Sequence, residues 1–185
     1  INEVDLVITT SSYLKNVIAD KTLKRHEQIK VIPNYIDLFL YRWRFKPVKK
    51  DFLNIYYFGS TTHSLDLYQK NFMEGLERLF KEFPNLKLVT VGAFIPQLRY
   101  RFGKRYQNAF GDVDIYKWIN EKYPKFMADA DIVVAPLEID IYNRSKSFIK
   151  YLEYSSANKP GVYQDIDAYR CVIKQGKNGF LASSA

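Results

Sequence analysis

The 185-residue chain has one cysteine, Cys171, and two histidines, His26 and His63. A lone thiol forms no internal disulfide, which suits a reducing compartment. Two histidines far apart in sequence, with the cysteine distant from both, supply no ligand cluster for a metal, and His63 with Asp66 is too sparse a pair to hold one. No apolar run approaches the ~20 residues of a membrane-spanning helix. A signal-peptide pattern, internal repeats and low-complexity tracts are missing as well. What the chain does have is a hydrophobic fraction of 47%, enough for a packed core. It starts at Ile1 and breaks off in mid-pattern at "GFLASSA", so it reads as a piece of a longer protein.

Charge is unbalanced, with 28 Lys and Arg against 20 Asp and Glu, a net +8. A basic surface attracts phosphates, nucleic acid or anionic lipid. The densest local run, "LRYRFGKRYQ" (Leu98–Gln107), mixes cations with aromatics, as a single-strand-binding surface does. The basic residues are otherwise scattered rather than blocked. That favours an exposed loop or helix over the domain and argues against nucleic acid as the partner.

Short apolar runs alternate with helical patterns along the chain. "VDLVITTSS", "QIKVIPNYID", "FLNIYYFGS", "LKLVTVG", "DIVVAPLE", "PGVYQ" and "GFLA" read as strands. "YLKNVIADK", Asp66–Phe83, "YKWINEKYPKFMADA" with a break at Pro124, the stretch from Asn143, and "DAYRCVIKQ" read as helices. Nearly continuous apolar strands between helices predict an α/β fold: a Rossmann-like parallel sheet with helices on both faces. In such sheets ligands bind beyond the carboxyl ends of the strands, here Gly59-Ser60, Gly92-Ala93 and Pro136-Leu137.

The stretch "NRSKSFIKYLEYSSANKPGV" (Asn143–Val162) carries polar residues where a plain core helix would not. Read as one continuous helix, it brings Glu153 back to the face of Lys146, roughly 10 Å further along the axis. The free N–H groups near Ser145, Ser147 and Phe148 suit a phosphate. Lys146 adds a charge, and the Glu153 carboxylate suits a vicinal diol. A nucleoside diphosphate lying along the helix fits that spacing. So does a solvated surface on which Lys150 and Glu153 make an exposed pair of little consequence.

The order "DLVITTSS … KVIPNYID … NIYYFGSTTHSLDL … LKLVTVG … ADIVVAPLE … NRSKSFIKYLEYSSANKPGVY … GKNGFLA" resembles the C-terminal half of a GT-B glycosyltransferase. It is most similar to the large retaining family typical of bacterial polysaccharide and lipopolysaccharide synthesis, the family 4-like enzymes. The resemblance implies three parts: residues 1–36 as the tail of an acceptor domain, 37–51 as an interdomain linker, and 52–185 as the domain that binds a nucleotide-sugar donor. It implies transfer of a sugar from a nucleoside diphosphate to a hydroxyl acceptor, saccharide or lipid-linked, with no metal or other cofactor. It also implies a cytoplasmic enzyme in peripheral contact with the inner face of a membrane. On its own, this portion is expected to bind donor and transfer nothing.

The family commonly carries two glutamates, the second holding the ribose hydroxyls, and Glu153 stands at that place. The first falls on Ser145, so the sequence is similar instead to a branch in which Asn143 and Lys146 serve the sugar-phosphate end. The first strand of the domain often ends in Gly-Arg; here Gly59 is kept and Ser60 replaces the arginine. His63 then either donates to the diphosphate or caps the next helix. Residues from Val113 to Tyr116 either read the base or begin a core helix, and Arg144 faces either solvent or phosphate. Two other readings share these features: a sugar-nucleotide 2-epimerase of the same fold, and a basic module that binds nucleotide or nucleic acid without chemistry.

Overall fold

The computed structural model describes residues 1–38, 50–59, 64–92, 94–109 and 121–183. Ser60, His63, Val113, Tyr116 and most of the 37–51 segment lie outside the described residues.

Two parallel sheets are present. A small one pairs β1 (Val7–Thr9) with β2 (Ile29–Val31) around helix α1 (Ser12–Lys21). Ser11 starts α1 as an N-cap, its hydroxyl accepting the Leu14 N–H at 3.2 Å. The large sheet holds β3 (Leu53–Gly59), β4 (Leu86–Gly92), β5 (Tyr106–Ala109), β6 (Ile132–Ala135), β7 (Gly161–Gln164) and β8 (Phe180–Ala182). Their spatial order is β5-β4-β3-β6-β7-β8, with every pair parallel. The expected Rossmann-like sheet is therefore what forms. The register sets Gly59 beside Gly92, so the strand ends predicted to share one edge do so. Strand order reverses between β3 and β6, and a crevice opens at such a switch point beyond the carboxyl ends.

Alternation along β3 divides the core. Ile55 and Tyr57 face one side, where α3 (Lys70–Glu82) contributes Met73, Leu76 and Phe80 and α4 (Pro96–Phe102) contributes Leu98. Tyr56 and Phe58 face the other, against Tyr123 and Met127 of α5 (Tyr123–Asp129) and Tyr154 of a later helix. A strand buried on both faces must read as a continuous apolar run, which is why "NIYYFG" shows no polar alternation.

Three local details set the ends of these elements, and the last departs from expectation. Pro124 sits in the first turn of α5, where its missing N–H costs nothing. The run Leu98–Gln107 holds most of α4 and the start of edge strand β5, and it covers the domain as expected, with Arg99, Tyr100, Arg101 and Lys104 exposed. Leu98 and Tyr106 are buried, while Arg99 donates to the Tyr106 carbonyl at 3.1 Å. Finally, the stretch from Asn143 is two helices. A short helix α6 (Ile141–Arg144) follows the N-cap Asp140, whose carboxylate accepts the Asn143 N–H at 2.6 Å. The Ser145 hydroxyl donates back to the Ile141 carbonyl at 2.6 Å and closes that turn. The chain then crosses 145–148 before α7 (Ile149–Ser156) begins. Asn158, at φ 55°, ends α7 in the left-handed conformation, and Pro160 prevents its continuation. Helix α2 (Ser64–Leu67) precedes α3, and α8 (Asp167–Arg170) follows β7.

Candidate functional site

Polar groups converge at the switch point. Asp66, on α2, is 4% exposed, and Asn143, on α6, is 3% exposed. The Asp66 Oδ1 accepts the Glu138 N–H at 3.1 Å and the Asn143 side-chain amide at 3.2 Å. That amide also donates to the Glu138 carbonyl at 2.9 Å. The Asn143 Oδ1 in turn accepts from the Lys146 ammonium. One buried carboxylate thus ties the segment after β6 to α2 and, through Asn143, orients the Lys146 ammonium beside it. Asn143 is occupied at both ends of its amide, which holds it against Asp66, Glu138 and Lys146.

Lys146 lies in the 145–148 crossing, not on the helix that carries Glu153, so the continuous helical face expected of the two does not exist. Its ammonium also stands 4.6 Å from the centre of the Tyr142 ring. Partial burial lowers its affinity for the proton, while Asp66 and Asp140 work in the opposite direction.

Helix α7 begins at this same edge with no side-chain cap on its N-terminus, which leaves first-turn N–H groups and the positive end of the helix dipole for an anion. Glu153 follows on α7. Its Oε2 accepts the Tyr123 hydroxyl at 3.1 Å. Burial raises the Glu153 carboxyl above its ordinary range, opposed by the Tyr123 hydrogen bond and the nearby charge of Lys150.

Lys150 is not the exposed residue that its lysine character suggests. Its ammonium is buried with no hydrogen-bond acceptor and lies 4.5 Å from the centre of the Tyr57 ring. Tyr57 can lie there because Gly59 leaves room: a Cβ on Gly59 would stand 2.7 Å from the tyrosine Cε1 and hydroxyl. Gly59 thus clears space for that ring.

The remaining candidates face the small sheet. Arg144 donates through Nε to Asp167 at 2.7 Å, and its guanidinium stacks 4.4 Å from the Tyr13 ring centre. The Ser145 carbonyl accepts the Ser11 hydroxyl at 2.9 Å, and the Ser147 hydroxyl accepts the Asn34 amide at 2.8 Å. Arg144, Ser145 and Ser147 therefore clamp the crossing against residues 1–36.

Sequence reasoning overlooked Asp66 and Tyr57 as site residues and discounted Lys150. The Asp66 contacts span 72 and 77 residues, and no local pattern announces them. Alternation along β3 could have placed Tyr57 and Gly59 on one face.

A family model described as glycosyl transferases group 1 matches residues 53–185. The chain belongs to that family. Among solved structures it is similar to HepE from Anabaena in complex with UDP and glucose, with a TM-score of 0.71 and 19% identity over 97% of this chain and 49% of that one. It is also similar to a glycosyltransferase from Rickettsia africae, with a TM-score of 0.68 and 16% identity over 97% and 49%. WaaG, a glycosyltransferase involved in lipopolysaccharide biosynthesis, gives 0.70 and 16% over 95% and 48%. The chain spans about half the length of these glycosyltransferases, and the shared fold is that of a GT-B half. No curated protein matches by sequence.

Proposed function

We propose that this chain is the donor-binding half of a glycosyltransferase that moves a sugar from a nucleoside diphosphate to a hydroxyl acceptor with retention of configuration. The observation that carries this reading is the convergence of Lys146, the uncapped N-terminus of α7 and Glu153 at the one edge where a doubly wound sheet opens a crevice. The diphosphate lies against the start of α7 and Lys146, and the ribose hydroxyls donate to Glu153. As the bond from the sugar C1 to the phosphate oxygen breaks, negative charge grows on the leaving diphosphate. Helix N–H groups and a fixed ammonium stabilise that charge without a resident metal. HepE binds UDP and glucose, so a uridine diphosphate hexose is the donor to try first.

The acceptor, a saccharide or a lipid-linked hydroxyl, is expected to meet the donor from a partner domain, with residues 1–36 as the near edge of that domain and 37–51 as the connection. Peripheral contact with a membrane surface belongs to the same reading. No helix among the described residues is long and apolar enough to cross a membrane. A thermal-shift screen against a panel of sugar nucleotides tests the reading. A donor at ~100 times its dissociation constant adds ~2.7 kcal/mol of stability. A chain that responds to none of the panel, but binds oligonucleotides in a salt-sensitive way, is a basic binding module instead.

A further inference from the structure

Half-buried lysines in this protein find acceptors. Lys50 reaches Asp131 at 2.9 Å, and Lys159 donates to the carbonyls of Ala130 at 2.7 Å and Ala128 at 3.2 Å, both at the amino edge of the sheet. At the carboxyl edge, Lys146 is satisfied by Asn143. Among the described residues Lys150 is the lysine whose buried ammonium has none. An ammonium taken out of water without a hydrogen bond is expensive. The face of Tyr57 compensates in part, since an aromatic ring attracts a cation without accepting its protons in a fixed geometry.

The place of this unmet charge is specific. Lys150 is in the first turn of α7, beside the free N–H groups of that helix and over the end of central strand β3. Lys146 approaches the same edge from the crossing. Asp66 and Glu153 face Lys150 from α2 and from one turn along α7, near enough to favour its charge but making no ion pair with it. An anion seated on the start of α7 would supply the acceptors that the protein withholds. A lysine stem has four carbons and rotates freely, so the ammonium can leave the ring for such a ligand with no backbone movement.

We propose that Lys150 is a ligand of the donor's diphosphate, its ammonium leaving the Tyr57 ring for a phosphate oxygen when the donor binds. The assignment rests on the reading of the crevice as a nucleotide-sugar site and adds a second cation to Lys146. It makes the ligand-free site an unsatisfied one, so binding strength is stored at the expense of stability. Burial pulls the Lys150 amine down to about 8, with Asp66 and Glu153 favouring its charge, Lys146 opposing it and the Tyr57 ring beneath it. Diphosphate binding therefore weakens as pH rises past that value.

The test uses Lys150→Met, which keeps the length of the side chain and removes the charge. Titration calorimetry of the whole chain with UDP, GDP, ADP and CDP, and with the matching nucleosides, identifies the diphosphate that binds. For that diphosphate, Lys150→Met is expected to lower affinity at least tenfold while leaving the nucleoside within twofold. Without ligand, the variant is expected to melt at a higher temperature than the wild type, because an unmet buried charge has gone. Undiminished diphosphate affinity in a folded Lys150→Met overturns the assignment and leaves the donor site standing. A lower melting temperature without ligand, or an equal loss for nucleoside and diphosphate, makes Lys150 a structural residue and also overturns it. A wild-type chain that binds none of the four diphosphates overturns the donor-site reading and this assignment together.

Discussion

The Lys150 ammonium lies 4.5 Å from the centre of the Tyr57 ring, buried and without an acceptor. This arrangement has a consequence for stability that is separate from binding. In the unfolded chain the amine titrates near 10.5; in the folded protein it titrates at about 8. Between those values the unfolded chain binds more protons, so the Lys150 contribution makes stability rise with pH through that window, and the penalty is complete below pH 8. The shift corresponds to ~3 kcal/mol. Buried Tyr56, Tyr57, Tyr163 and Tyr169, all held protonated above their ordinary range by burial, pull stability down once unfolded tyrosine ionises near pH 10. Denaturant titrations at pH 7 and 9.5 are therefore expected to show the wild type closing its stability gap with Lys150→Met as pH rises. A constant gap would remove the charge as its cause.

Gly59→Ala is expected to cost 1–3 kcal/mol and to weaken diphosphate binding. The new methyl would stand 2.7 Å from the Tyr57 ring, so the ring must leave the place where Lys150 rests. Gly59 is not among the residues with positive φ, so the cost is one of space. Tyr57→Leu should recover much of the stability in the double variant, and a denaturant titration of the two singles and the double measures that coupling.

Asp66 is the other support. Asp66→Ala leaves the Glu138 N–H without its carboxylate and removes one acceptor of the Asn143 amide, and each unmet buried group costs ~1–3 kcal/mol. Asp66→Asn keeps an acceptor but deletes the negative charge facing Lys146 and Lys150. It is expected to lose less stability than Asp66→Ala while still disordering Lys146, which rides on Asn143. Unfolding midpoints of the two variants, read beside their diphosphate affinities, check the order.

Much of this was legible beforehand, and the exceptions share a cause. Continuous apolar runs such as "NIYYFG" and "LKLVTVG" announce strands buried on both faces, and the strands form as those runs imply. The break at 145–148 was not legible, because Asp140 caps a separate turn and the Ser145 hydroxyl closes it, while the apolar spacing still fits one helix. Strand β5 was missed because only Tyr106 of "YQNA" is deeply buried at that edge. Arg144 is fixed by Asp167 and Tyr13, partners 23 and 131 residues away, which no local pattern announces. Lys150 was the hardest to foresee. Helical spacing gives the direction of a side chain, but not that this one reaches over a sheet edge onto an aromatic ring.

The same helix carries the most direct test of the nucleotide site. Glu153 is partly buried, accepts from Tyr123, and has its carboxyl raised above the ordinary range by burial. In the folded state it therefore holds its proton more tightly than when unfolded. Its contribution to stability is present at low pH and is lost as pH rises through the raised value. Ribose hydroxyls donate to the ionised form, so nucleoside binding should move the opposite way and strengthen as Glu153 loses its proton. Glu153→Gln keeps the shape, removes the charge and adds an unwanted donor. A hydrogen bond to a charged group contributes about 1.5–3 kcal/mol, so the variant should bind nucleoside ~10-fold or more weakly. It should also lose the rise in affinity across the Glu153 titration. A 2′,3′-dideoxynucleotide provides the control, since without the hydroxyls it should bind wild type and Glu153→Gln alike. Calorimetry with the two ligands, the two proteins and two pH values separates the outcomes. If Glu153→Gln weakens the dideoxy ligand as much as the natural one, Glu153 shapes the crevice through Tyr123 and does not hold the ribose.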